Sequence, residues 1–308
     1  MDPKRPLIVL LLVLGLAACA GRETERLVSS PGSRPPVARV DGVPFFPQGD
    51  RACGPASLAM ALVWSGLSSG PEAASTQVYT PGREGSLATD MLAGARRNGR
   101  LAVPVNTLSD LLAELAAGHP VIVFQNLGLD IKPMWHFAVA VGYDMPKRQI
   151  ILNSGFDEAI RLSLDTFEHT WERTGRWAMV VLPPDRLPAT AAEPAVVQAA
   201  AGLERVGLAP AAARAYETIL ARWPDSLGAA IGLGNARYAQ QDREGAEAAL
   251  RQAVAYHPNS PPAWNNLAQV LLERGRLGEA REAAERAYGL DPSEPIAATL
   301  AEIRQAAP

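Results

Sequence analysis

The sequence predicts an α+β domain followed by an all-α repeat array, both behind a secretory leader. Three observations predict this. An unbroken apolar run at the start, LIVLLLVLGL, is too short to span a bilayer, which takes about 20 such residues. Across 37–182, helix-spaced apolar residues come first and short apolar strand runs cluster later. After residue 193 the chain repeats itself every 34 residues. The 308 residues carry 29 Lys and Arg against 32 Asp and Glu, a net charge of -3 that gives no electrostatic footprint for nucleic acid. Two Cys cannot build a disulfide framework, and four dispersed His without HExxH or CxxC spacing predict no metal centre. No phosphate-binding G-x-x-x-x-G-K-[ST] loop occurs, so a P-loop ATPase is not expected.

Lys4 and Arg5 precede the apolar run of residues 7–16, and Leu16-Ala17-Ala18-Cys19 follows it. Leu, two small residues and Cys at this distance resemble the bacterial lipobox, so residues 1–19 read as a lipoprotein signal peptide. The resemblance implies that Cys19 carries lipid, and Ala20 after it points to the outer membrane, facing the periplasm. Residues 20–36 are rich in Arg, Glu, Ser, Pro and Gly without apolar periodicity and are expected to be a flexible tether. Cys53 would then be the lone thiol of the mature chain in an oxidising compartment.

Within 37–182, Gly54 to Ser65 starts with Pro55 and carries apolar residues at helical spacing. Thr107 to Ala117 reads as a second helix, capped by Thr107 or Ser109, and Ser163 caps a third running to about Thr174. Val121–Phe124, Phe137–Tyr143, Gln149–Leu152 and Arg176–Leu182 read as strands, the middle pair joined by the turn Asp144 to Arg148.

The chemistry sits on that frame. Cys53 precedes Gly54-Pro55 at a helix start, where the dipole and unpaired N–H groups favour negative charge on sulfur, the nucleophilic form. Gly54 would let the backbone approach a substrate carbonyl, and Gln48, five residues earlier, could donate its side-chain NH2 to an oxyanion. His136, at the start of a strand, is the candidate base. His119 lies in a turn before Pro120, His169 on an amphipathic helix and His257 in the repeats, so each is less suited. Asn153 ends the next strand, where an antiparallel neighbour would sit beside His136 and orient its ring; Asp144, Ser154 and Asp157 are further candidates for that role. Trp135 could line a cleft or fill a core.

Pro224, Pro258 and Pro292 recur at 34 residues, as do Ala212, Ala246 and Ala280, and the small residues Ala200, Gly234 and Ala268. Small residues where paired helices cross, with Pro closing each unit, are the tetratricopeptide signature. Residues 193–308 therefore read as three tetratricopeptide repeats plus a C-terminal capping helix, after a Pro-rich linker at 183–192. Such arrays leave a concave surface suited to a peptide or protein partner.

VPFFPQGDRACGPASLAMAL, WHFAVAVGYD and IILNSG together resemble a papain-like cysteine peptidase, closest in pattern to the leader peptidases that trim double-glycine peptides during export. The resemblance covers about 40–182. It implies peptide-bond hydrolysis through a thioester without a cofactor, with Gln48 in the oxyanion hole, Cys53 as nucleophile, His136 as general base and Asn153 as the third member. Leader peptidases usually carry Asp where Asn153 stands, although Asn serves in papain-like enzymes generally. The chain lacks the transporter and ATPase to which leader peptidases are often fused, and instead resembles stand-alone cysteine-peptidase lipoproteins. Two other readings use the same residues: a silent peptide-binding scaffold of the cell envelope, and amide hydrolysis or transfer on cell-wall peptide.

Overall fold

The computed structural model describes residues 22–48, 52–83, 85–190 and 192–306. The leader, Cys19 and Ala20 lie outside them. The described chain divides into two compact units: one takes 22–98, 102–181 and 188–190, and the other takes chiefly the residues from 192 onward.

The first unit is built on a seven-stranded sheet with the order β2 (Leu101–Val105), β7 (Ala178–Leu182), β3 (Val121–Asn126), β4 (Trp135–Asp144), β5 (Gln149–Ser154) and β6 (Asp157–Ser163), with β1 (Val37–Arg39) paired to β4. The β3–β4, β4–β5, β5–β6, β3–β7 and β1–β4 pairings are antiparallel. This is the α+β architecture that the pattern predicts, and its central hairpin is the expected one: Asp144 faces Gln149 across the turn. Ser163 caps its helix as expected, and of the two candidates Thr107 and Ser109 it is Thr107 that caps the other; they accept from the amides of Thr166 and Asp110.

Helix α2 (Cys53–Trp64) is apolar on all faces and buried from Gly54 through Leu62. A helix with no polar stripe belongs inside, and it packs on β3 and β4. Strand alternation sends Phe137, Val139 and Val141 into the core that α2 shares, together with Ile122 and Ile151. The alternate positions of β4 belong to the other layer, where α5 (Leu108–Ala116) and α6 (Leu164–Glu172) pack on the sheet.

One element corrects the sequence reading, and several others add to it. The expected flexible tether at 20–36 contains a helix, α1 (Arg22–Ser29). Its first-turn amides at Glu23 and Thr24 donate to the carboxylate of Glu168 at 2.9 and 2.8 Å, and Arg176 pairs with Glu23 and Glu168 at 2.6 and 3.2 Å. Glu168 is fully buried. A polar segment without apolar periodicity is thus ordered by one carboxylate more than 140 residues away, which satisfies the free donors of its first turn. Strand β6 was also invisible, because DEAIRLS is mostly exposed and lies at the sheet edge. Helices α3 (Pro71–Val78) and α4 (Ala88–Arg97) complete the layer around α2.

The second unit contains seven helices among the described residues: α7 (Glu193–Arg205), α8 (Ala209–Arg222), α9 (Leu227–Ala239), α10 (Arg243–Tyr256), α11 (Pro261–Glu273), α12 (Leu277–Leu290) and α13 (Glu294–Ala306). They pack as successive hairpins. The periodic small residues sit where helices meet: Ala200, Gly234 and Ala268 are buried, as are Ala212, Ala246 and Ala280. At Gly232 the requirement is steric, since a Cβ would stand 2.2 Å from the Tyr216 ring.

Candidate active site

Cys53 is the first residue of α2, half-buried and free. Its N-cap, Ala52, supplies no side-chain hydrogen bond, so the first-turn amides and the positive end of the dipole face any anion formed there. Gly54 follows because Ser86 packs directly against it: a Cβ would lie 2.3 Å from the Ser86 hydroxyl. The space assigned from sequence to a substrate carbonyl is occupied on that side by Ser86.

Ser57 is one turn further along α2, on the same face as Cys53. It accepts a hydrogen bond from Nε2 of Gln48 at 3.3 Å. The Gln48 carboxamide oxygen accepts from the Gly155 amide at 3.0 Å, and the Gln48 amide donates to the Gly155 carbonyl at 2.8 Å. Gln48 is only 3% exposed. It therefore works as a bridge, joining the helix that carries Cys53 to the β5–β6 turn. Nε2 has two hydrogens, and the bond to Ser57 uses one.

The residue before Gly155 is Ser154, whose Oγ lies 2.8 Å from Nε2 of His136. Burial lowers the pKa of the His136 imidazole from its ordinary value, which favours the neutral ring. The described residues thus form a chain of contacts from the first turn of α2 through Ser57, Gln48 and Gly155 to Ser154 and His136. No hydrogen bond joins the Cys53 thiol to His136 or to any other described residue; in unliganded sites the nucleophile–base contact is commonly longer than a formed hydrogen bond.

Asn153 does not take the expected place beside His136. Its register partner on β4 is Val139, and alternation puts it on the face of Val139 and Phe137. Ser154, one residue on, shares the face of His136. The buried Asn153 side chain instead accepts from the Ala159 amide at 3.1 Å. Ala159 has φ 57°, a left-handed conformation that a non-glycine residue adopts at a cost, and the Asn153 bond holds it there. Asp144 pairs with Lys147 at the far end of the hairpin, and Asp157 faces Ser154 across the β5–β6 turn. The sequence offered Ser154 only as one of several alternatives and gave no sign of Ser57 or Gly155 as parts of the bridge.

Aromatic side chains flank this end of the sheet. Phe124 stacks between Trp135 and Phe137 at centroid distances of 5.6 and 4.4 Å, and Trp177 meets Phe124 and Phe137 edge-to-face. Trp135 is half exposed.

Residues 40–179 match the model of the Peptidase_C39 like family. They form a C39-like domain. Residues 231–295 match a tetratricopeptide repeat model, so the chain joins this C39-like domain to tetratricopeptide repeats. Among solved structures, a protein described as a C39-like peptidase from Bacillus anthracis is 19% identical and aligns over 47% of this chain and 97% of its own, with TM-score 0.41. The first TPR domain of the human RPAP3 protein is 19% identical over 37% of this chain and 91% of its own, TM-score 0.36. The Yersinia enterocolitica type III secretion chaperone SycD, in complex with a peptide of the translocator YopD, is 19% identical over 36% of this chain and 90% of its own, TM-score 0.34. No curated protein matches the chain.

Proposed function

We propose that the protein is a lipid-anchored cysteine peptidase whose tetratricopeptide array holds a protein or peptide partner. In this reading Cys53 Sγ attacks the scissile carbonyl while His136 takes the thiol proton and then gives it to the leaving amine. The acyl group stays on sulfur as a thioester, which water hydrolyses with His136 as base. The second Nε2 hydrogen of Gln48 and the Cys53 amide hold the oxyanion. Ser154 orients the ring. When Nε2–H donates to Ser154 Oγ, Nδ1 is left as the basic nitrogen. A hydroxyl both donates and accepts, so it selects this tautomer less firmly than a carboxylate would.

The observation that carries the reading is the Gln48 bridge, which ties the turn of α2 bearing Cys53 to the turn beside His136. Acylation at Cys19 would place the chain at the outer membrane, facing the periplasm. The test is a Cys53→Ser variant compared with the wild type, using a thiol-directed probe and a peptide library. The wild type should label at Cys53 and cleave peptide; the variant should do neither. Equal turnover by the two would end this assignment.

One observation favours a second reading, a peptide-binding module without turnover: the imidazole is engaged by Ser154, with no hydrogen bond to Cys53. Peptide binding without cleavage products by mass spectrometry would select it.

A further inference from the structure

The connection between β3 and β4 is an ordered hairpin with an apolar tip. The Leu127 amide donates to the Met134 carbonyl and the Lys132 amide to the Leu129 carbonyl, both at 2.9 Å. At its base the Asn126 side-chain oxygen accepts from the amides of Gly128 and Met134 at 3.0 and 2.9 Å. Gly128 is obligatory, because a Cβ would sit 2.4 Å from the Lys132 carbonyl. Despite this order, Leu129, Ile131, Met134 and Trp135 are 62%, 92%, 61% and 53% exposed. Phe156, in the β5–β6 turn at the same end of the sheet, is 71% exposed. Leu127, at the base of the hairpin, is 44% exposed, and the remaining exposed large apolar side chains of the described residues are dispersed through both units. A rigid apolar projection left in water marks a surface that is covered in use.

The N-terminal segment says what covers it. Glu23 is fixed on Glu168 in the middle of α6 and on Arg176, four residues past the end of that helix. The C-cap of the same helix is Arg173, whose guanidinium donates to the Gly128 carbonyl at 2.6 Å, and the next residue, Thr174, donates to the Phe124 carbonyl at 2.7 Å. The start of α1 and the base of the hairpin are therefore both held by the segment that runs from Glu168 to Arg176. Cys19 is four residues before Glu23, which limits its reach from that point to about 14 Å.

We infer that the hairpin 127–135, with Phe156, docks into the lipid surface to which Cys19 is anchored, and sets the His136 end of the sheet against the membrane. The inference rests on the lipid anchorage proposed above. Trp135 has the amphipathic ring suited to the headgroup level. Lys132 and Arg173 place two cations at the hairpin, but Asp130 there and Asp157 and Glu158 beside Phe156 outnumber them, so the contact rests on the apolar side chains and not on anionic headgroups.

The test uses the full chain expressed with its leader in a bacterium, purified as the cell processes it, and mixed with vesicles of phosphatidylcholine and phosphatidylglycerol carrying brominated acyl chains. Flotation reads the anchor, and tryptophan quenching reads the hairpin. The Trp135 contribution is isolated by difference from Trp135→Phe. The emission lost in that variant should be quenched about two-fold by the brominated lipid, as for a ring at the headgroup boundary. Ile131→Asp should abolish that quenching and leave flotation unchanged; Ile131 is too exposed for the change to unfold the domain. A chain that floats with Trp135 unquenched overturns the hairpin contact alone. A chain that does not float overturns the anchorage and this inference with it.

Discussion

In the helical unit, Ala200, Gly234, Ala268, Ala212, Ala246 and Ala280 recur at one period and all are buried. At the His136 end of the sheet, the outcome depends on which of two adjacent residues, Asn153 or Ser154, shares a face with the imidazole. The array is specified by size at many equivalent positions, and each contact is between near neighbours in sequence. The site is specified by a few polar bonds that join residues far apart, such as Gln48 and Gly155. Redundancy makes the first tolerant of a degenerate repeat. The second has no spare members, and a one-residue change of register reassigns a role.

Four measurements break or sharpen that contrast. The largest effect is expected at Gln48. Gln48→Ala removes both the bridge and the proposed oxyanion donor, and kcat should fall by about 10²–10³; an unchanged kcat would leave Gln48 as packing only. Next comes Gly232→Ala in the array. The added Cβ meets the Tyr216 ring, so the helical unit should lose about 1–3 kcal/mol in denaturant unfolding, while peptide turnover stays at the wild-type level. A drop in turnover would couple the two units.

The third comparison pairs neighbours. Ser154→Ala should lower kcat about ten-fold through the lost orienting bond, with little change in stability. Asn153→Ala should leave kcat intact and cost about 1–2 kcal/mol, because Ala159 loses its partner. Reversed outcomes would restore Asn153 as the orienting residue. The smallest effect is in pH. Burial lowers the His136 pKa in the folded state, so the unfolded chain binds the proton more readily. The stability from this group is present above the unfolded value of about 6.5 and declines as pH falls below it. His136→Gln should flatten the pH dependence of unfolding just below that value. A slope unchanged by the substitution would mean that the ring does not titrate differently on folding.

The same logic explains what could be read in advance. The repeat period, the buried helix after Cys53, the β4–β5 hairpin and the caps at Thr107 and Ser163 were all legible, because each depends on spacing within one short segment. The order of residues 22–29 was not. It arises from Glu168 and Arg176, and a polar octapeptide carries no local mark of a carboxylate waiting elsewhere. Nor was the partner of His136. Both Asn153 and Ser154 offered suitable chemistry, and the choice required knowing that Val139 stands opposite Asn153.

Periodicity, residue size and capping chemistry therefore established the two-part architecture, while side-chain chemistry and the family resemblance singled out Cys53, Gln48 and His136 as candidates. Those signals act over one helix turn or one strand, a range within which sequence neighbours are also spatial neighbours. Folding alone assigned the partners: Ser57 and Gly155 to Gln48, Ser154 to His136, Ala159 to Asn153, and Glu168 to the start of α1. Strand register and long-range burial make those choices. Both are properties of the assembled sheet, in which a shift of one residue exchanges the faces that side chains occupy.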